Sequence, residues 1–350
     1  MKSYVFPGNI EDSILQIGGK PFPYMRTAQF SELVKDSERM LLHLINCPEG
    51  RVIFYTASGT GAMDAVVANY VSQCEKAFIL VGGSFGHRWK NLCDYYHCPN
   101  EIFEVPFARD IDYVQLEERV RTSRPDVFLC QHHETSTGQL YDMEKISAIC
   151  KKYEVSLVVD AISSFLSDTL DMSGWGIDIC ITSSQKGLNI APGLSFLFLS
   201  PRVLQTVFSH KSYYFDFEEN LKNLERGQTP YSPATTLFLQ LHARLQSDMK
   251  IGVDNIIASV RAKALYFREL CKQNNWEVPA EVPSNCITGF FVRRNGDILF
   301  KELLKQEIFI MPGGTPNYFR VSHLGVQTNE DLDDLARRIK EIENLSLIHI

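Results

Sequence analysis

A lysine placed just past a buried strand is a candidate nucleophile, because burial favours its neutral amine. Lys186, in ITSSQKGLNIAPGLSFLFLS, follows one such apolar run; taken alone, it reads more readily as a solvated loop lysine. Asp160 ends the run SLVVD, where a carboxylate is costly unless a cation pairs with it. A protonated pyridine nitrogen would serve, and so would a metal or the start of the next helix. In SGTGAM, Ser58 to Met63, small residues between a strand and a helix let backbone N–H groups and the positive helix end meet a phosphate. A plain turn capped by Ser58 or Thr60 is the competing reading, and the missing Walker lysine disfavours a nucleoside triphosphate. Phe85, in GGSFGHRW, offers a ring for stacking, and HHETSTG, residues 132–138, offers hydroxyls that include Thr135.

These residues share one position relative to the elements that must carry them. Short β-rich runs, VIFYTAS (52–58), AFILVGG (77–83), EIFEVPF (101–107), DVFLCQHH (126–133), SLVVDAIS (156–163), DICITSS (178–184) and SFLFLS (195–200), alternate with helical patterns. Several are apolar at successive positions, which predicts mostly parallel strands covered by helices on both faces. Ligands of such sheets bind beyond the carboxyl ends of the strands, where all the candidates lie. After residue 236 the pattern becomes a long amphipathic helical stretch to about 275, followed by two strand-like segments, TGFFVR and NYFRVS. The expected fold is therefore α/β. A seven-stranded, mostly parallel sheet forms a large domain over residues 22–250, a smaller α+β C-terminal domain covers 251–350, and residues 1–21 form an N-terminal segment packed nearby.

Composition narrows the function. The chain of 350 residues is 45% apolar and 22% charged, which is globular and not disordered. No apolar run is long enough for a membrane span, and the start lacks the blocks of a signal peptide, so a cytoplasmic address is expected. Nine scattered cysteines without C-x-x-C spacing signal neither a disulfide framework nor a zinc site. A net charge of −7 without a basic block gives no footprint for nucleic acid or anionic membrane. Small-molecule partners are expected, and the apolar ending ENLSLIHI has no assignment.

The order SGTGA, SFGHRW, ETSTG, VVDAISS, SSQKG and PGLSF resembles that of the class V, fold-type I pyridoxal phosphate enzymes. Within them the chain is similar to the alanine–glyoxylate, serine–pyruvate and 2-aminoethylphosphonate–pyruvate aminotransferases, over roughly residues 5 to 340. The resemblance implies that Lys186 carries pyridoxal 5'-phosphate as a Schiff base and serves as acid and base, and that Asp160 faces the pyridine nitrogen. It places Phe85 and Ile162 on the two ring faces and Thr135 near the phenolic oxygen. Ser58, Gly59, Thr60 and Gln185 fall around the phosphate, and Arg320, in FRVSHLG, clamps a substrate carboxylate. Gly8, in FPGN, takes the place of a P-G-P segment beside the substrate, although the second proline is missing. GQTPYSP, with Gln228, Thr229 and Tyr231, resembles the segment that reaches the neighbouring subunit's phosphate, which implies a homodimer with its active site at the interface.

The implied activity is ping-pong transfer of an amino group from a small donor such as alanine or serine to glyoxylate or pyruvate. 2-Aminoethylphosphonate is the alternative donor; it would call for further cations, for which Arg26 and Arg88 are candidates that read more readily as surface or structural. A cysteine desulfurase or related lyase resembles the chain less well. Phe85 and Gln185 stand where such enzymes show histidines, and no cysteine follows Cys286. A binding protein that keeps the fold without turnover is countered by the joint presence of Lys186, Asp160 and Arg320. His132 and His133 are expected to pack locally.

Overall fold

The structure, a computed structural model, describes residues 1–345; the apolar ending runs outside them from residue 346. Each of the seven runs contributes one strand: β1 (Arg51–Tyr55), β2 (Ala77–Val81), β3 (Asn100–Glu104), β4 (Val127–Gln131), β5 (Ser156–Asp160), β6 (Ile179–Ser183) and β7 (Ser195–Leu199). They form one sheet in the order β1-β7-β6-β5-β4-β2-β3. All neighbours are parallel except β7, which runs antiparallel to both β1 and β6. Every residue of β2, β4, β6 and β7 is buried, which is why those runs are apolar without alternation. The edge strand β3 buries only Phe103 and accordingly carries Asn100, Glu101 and Glu104. Several runs overshoot their strands by two or three residues, because the chain leaves the ladder there to form the loops that carry the candidate site.

Helices cover both faces. The first long one, α1 (Ala28–Leu44), is started by Thr27, whose side chain accepts from the Phe30 N–H, and it buries Phe30, Val34 and Leu41 at helical spacing. α2 (Gly59–Asn69) and α3 (Ser84–Tyr95) follow β1 and β2 directly. The amphipathic stretch after residue 236 is two helices, α4 (Thr235–Ile251) and α5 (Val253–Gln273). It breaks at Gly252, whose φ of 84° is open to glycine and strained for other residues.

The C-terminal part folds as a three-stranded antiparallel sheet, β8 (Ile287–Phe291), β9 (Met311–Pro312) and β10 (Tyr318–Ser322), with β10 in the middle. A separate apolar cluster lies beneath it, joining Phe267 and Cys271 of α5 to Phe290, Val321 and the Leu332, Leu335 and Ile339 face of α6 (Asn329–Glu343). The start of the chain joins this cluster through Tyr4, while Lys2–Ser3 pair in parallel with Ile308–Phe309. Further along, Ile14 packs into the main core. The N-terminal segment therefore touches both cores. No helix among the described residues is long and apolar enough to cross a membrane.

One buried carboxylate fastens the two parts beside the candidate site. Asp168 accepts from the Ser284 hydroxyl at 2.8 Å, the Asn285 N–H at 3.0 Å and the Ser167 hydroxyl at 3.3 Å. Burial pushes its pKa up and these donors oppose the shift. Asp168→Ala leaves the buried Ser284 hydroxyl and the Asn285 N–H without this acceptor, and a loss of about 2–4 kcal/mol is expected. Denaturant unfolding measures it; a midpoint equal to that of the parent would show that the junction contributes nothing.

Candidate active site

β1, β2, β4, β5 and β6 point the same way, so the loops after Tyr55, Val81, Gln131, Asp160 and Ser183 emerge at one edge of the sheet. Lys186 lies in the last of these loops and is buried. Its Nζ stands 3.4 Å from the centroid of the Phe6 ring. Burial brings its pKa down to about 8; Cys286 and Asp160 push it up, whereas Arg320 and Arg88 add to the lowering.

Asp160, on the strand next to the one that leads to Lys186, is buried as well. Its Oδ1 accepts from the Ile162 N–H at 2.8 Å, and among the described residues no lysine, arginine or histidine forms an ion pair with it. Burial pushes its pKa up to about 7, against the pull of that N–H. The fold thus holds an acid and an amine at neighbouring strand ends, each left short of a partner.

At the turn after β1, Ser58 occupies the cap position of α2, yet its side chain makes no capping bond. A Cβ on Gly59 would meet Ile162 Cδ1 at 2.4 Å, so glycine is what lets the loop after β5 pack onto the first turn of α2. Thr60 Oγ1 accepts from Arg88 Nη1 at 3.0 Å, and the Arg88 guanidinium lies 4.7 Å over the Phe85 ring. The sequence pointed to a surface or structural place for Arg88; the structure puts it between two candidate residues. Arg26 instead braces the chain, donating to Gln228 Oε1 and to the carbonyls of Thr229 and Pro230.

Thr135 Oγ1 and Ser163 Oγ share a hydrogen bond of 2.6 Å. Arg320 reaches this region from β10: Nη1 donates to the Thr135 carbonyl and Nη2 to that of Pro312, both at 2.9 Å, while the buried Nε has no acceptor among the described residues. Gln185 Oε1 is likewise buried, with no donor among the described residues. A Cβ on Gly8 would meet the Leu324 carbonyl oxygen at 2.2 Å, so a larger residue there would displace the N-terminal segment. Gln228, Thr229 and Tyr231 do not join the Lys186 cluster within one chain. Gln228 contacts Arg26 and Ser31, Thr229 donates to the Tyr231 carbonyl, and Tyr231 donates to Tyr213 and stacks on Tyr214. His132 packs edge-on against Trp175, and burial lowers the pKa of His133, whose ring nitrogens have no partner among the described residues.

Sequence reasoning passed over Glu134. Its buried carboxylate accepts from the N–H groups of Phe85 and Gly86 at 3.2 Å and from Ser136, tying the loop after β4 to the first turn of α3 and so fixing Phe85. An acidic residue inside an otherwise buried run was the available signal. Phe6 was also missed, because nothing in its local sequence links it to Lys186.

These residues fit pyridoxal phosphate. A helix start with an idle serine, the close approach allowed by Gly59 and the unbonded Gln185 Oε1 suit a phosphate, and the unpaired Asp160 suits a ring cation. Lys186 supplies an amine that burial drives toward its neutral form.

The profile of the family described as Aminotransferase class-V matches residues 23–314. The chain is 27% identical to the serine–glyoxylate aminotransferase of Hyphomicrobium methylovorum, over 91% of this chain and 84% of that protein. It is 26% identical to a protein of Synechococcus sp. (strain PCC 6716) named soluble hydrogenase, small subunit, over 92% and 87%. The alanine–glyoxylate aminotransferase of Nostoc sp. superposes with a TM-score of 0.90, at 23% identity over 96% of this chain and 93% of that one; this likeness establishes the fold.

The burial of Lys186 has a measurable sign. Its folded pKa falls from 10.5 to about 8, so between those values the folded state binds fewer protons than the unfolded chain, and this residue makes stability rise with pH. Asp160, raised from 3.8 to about 7, does the reverse as pH climbs between those values. Reductive alkylation of Lys186 in the chain without added cofactor, followed by peptide mass spectrometry, should therefore reach half its limiting rate near pH 8. Ordinary lysines titrate near about 10.4, and a midpoint there would contradict the burial argument.

Proposed function

The chain belongs to the class-V aminotransferase family, and from that premise we propose that it uses pyridoxal phosphate to move an amino group from a small donor, such as alanine or serine, to glyoxylate or pyruvate. The observation that carries this reading is the pair formed by Lys186, its pKa brought to about 8, and Asp160, raised to about 7 without an ion-pair partner. The family rests on the profile match to residues 23–314, and at 26% identity the Synechococcus relative carries no activity over to this chain.

When bound, pyridoxal phosphate supplies an electron sink for charge developing at the substrate's α-carbon. Lys186 would hold it covalently and, once freed by the donor, carry a proton to and from that carbon as general base and acid. Its lowered pKa suits both roles near neutrality. Asp160, as a carboxylate, would keep the ring nitrogen protonated. Phe85 and Ile162 would hold the ring between them, with Phe85 steadied by Glu134, and Thr135 would bond the phenolic oxygen. Ser58, Gly59, Thr60 and Gln185 would take the phosphate. Arg320, held by two carbonyls and, among the described residues, by no carboxylate, would bind the substrate carboxylate, with the Gly8 segment alongside.

We further propose a homodimer in which Gln228, Thr229 or Tyr231 completes the phosphate site of the other subunit, and a cytoplasmic location. A second reading takes 2-aminoethylphosphonate as donor and pyruvate as acceptor. Arg88 favours it, being a cation with no ion-pair partner among the described residues that lies over Phe85.

Half-reaction spectroscopy with a donor panel, and glyoxylate and pyruvate compared as acceptors, tests both readings; a visible cofactor band that no amino donor shifts would count against transamination. Lys186→Ala should lower turnover by about a thousandfold or more while retaining some cofactor affinity, and near-parental transamination by this variant would sink the assignment. Arg320→Lys should raise the acceptor KM by about tenfold through loss of the planar fork; an unchanged KM would remove Arg320 from the substrate site.

A further inference from the structure

We propose that Phe6 sets the size limit on groups that reach the Lys186 amine, and thereby on the donors the enzyme accepts; the second half rests on the transaminase reading above. The ring centroid lies 3.4 Å from Nζ, so the ring is in van der Waals contact with the amine and leaves no room for another group on that side. A donor must bring its amino group to the same place, and the substituent on its α-carbon then meets the ring.

The segment that carries the ring is fastened at several points. The Ser322 N–H donates to the Tyr4 carbonyl at 2.8 Å, and the Ser3 hydroxyl donates to that of Pro7 at 2.8 Å. The Ser3 N–H donates to Asn9 Oδ1 at 3.0 Å. The Asn9 carbonyl accepts from Asn189 Nδ2 at 3.0 Å and from the Val326 N–H at 2.9 Å. Asn189 is three residues beyond Lys186, so the strap is tied both to the loop that bears the amine and to the C-terminal sheet. Phe6 also packs against the apolar group of Val260, Cys286, Ile287 and Leu324.

On its outer side lies a cavity of about 560 Å³ whose lining includes Phe6, Val5, Ile10, Leu15 and Phe309 and leaves out Lys186. Phe6 both lines this cavity and touches the amine, so its ring stands between them. Shortening that side chain joins the cavity to the amine and makes room for a bulky substituent.

The test compares the parent with Phe6→Leu, which keeps the apolar packing, and Phe6→Ala. In the full chain without cofactor, Lys186 is reductively alkylated with acetaldehyde and with benzaldehyde, and the modified peptide is quantified. The benzaldehyde-to-acetaldehyde rate ratio at Lys186 should rise about tenfold or more in Phe6→Ala, with Phe6→Leu between, while ratios at surface lysines stay constant. In the loaded enzyme, kcat/KM for phenylalanine relative to alanine should rise in the same order. Equal alkylation ratios in all three proteins would overturn the proposal. A shifted alkylation ratio with an unchanged donor ratio would overturn its donor half. A shifted alkylation ratio in a protein whose cofactor band no donor of the panel shifts would uphold the wall and defeat the transaminase reading.

Discussion

Two ionisable groups buried at the ends of adjacent strands, and not paired with each other, are the constraint to which the rest of this molecule answers. β5 and β6 run in register with Asp160 opposite Ile181, and the chain then turns to set Lys186 back toward the same edge. Had the two met as an ion pair, each would have favoured its charged form. Apart, desolvation dominates both, raising the acid and lowering the base until their pKa values stand at about 7 and about 8. Unpaired burial costs stability, and the surrounding sheet supplies it from strands whose residues are almost all inside. The arrangement suits a group that offers a cation to one member and a carbonyl carbon to the other.

Around that pair, the remaining contacts keep separate elements at fixed distances. Gly59 lets the first turn of α2 meet Ile162 without an intervening Cβ. Glu134 pins the start of α3 to the loop after β4, and Arg320 crosses from the C-terminal sheet to the Thr135 carbonyl. Asp168 fastens the loop before β8 to the large core, while α5 places Ile256 in one apolar cluster and Phe267 in the other. The edge of the sheet is thus built from both cores, and a shift between them would move Arg320 relative to Lys186.

The seven strands were legible in the sequence because strands buried on both faces must be apolar throughout, and the candidate residues because such sheets present their chemistry where the apolar run stops. The direction of β7 was not, since SFLFLS is equally apolar whether its neighbours run with it or against it. The break at Gly252 looked like one uninterrupted amphipathic stretch, for a single glycine scarcely disturbs the period. Phe6 and Glu134 were missed, and the bond of Arg88 to Thr60 was not foreseen, for a shared reason. Each acts through partners that the fold brings from afar: Phe6 meets Lys186, Glu134 meets the Phe85 backbone, and Arg88 meets Thr60. No local pattern encodes such a meeting.

That division has a consequence for how chemistry and selectivity are distributed. In the proposed reading the acid, the amine and the glycine-bearing turn at the strand ends serve amino-group chemistry in general and say little about which amino group. The residues that approach the amine from outside the sheet are of another kind: an aromatic ring from the chain's first ten residues, an arginine from a helix face, a second arginine from the C-terminal sheet. Each is held by side chains and carbonyls remote in sequence, so each can be exchanged without altering a strand. A sheet edge that fixes the reaction, with its walls supplied by separately anchored segments, lets one fold keep its chemistry while its substrates change.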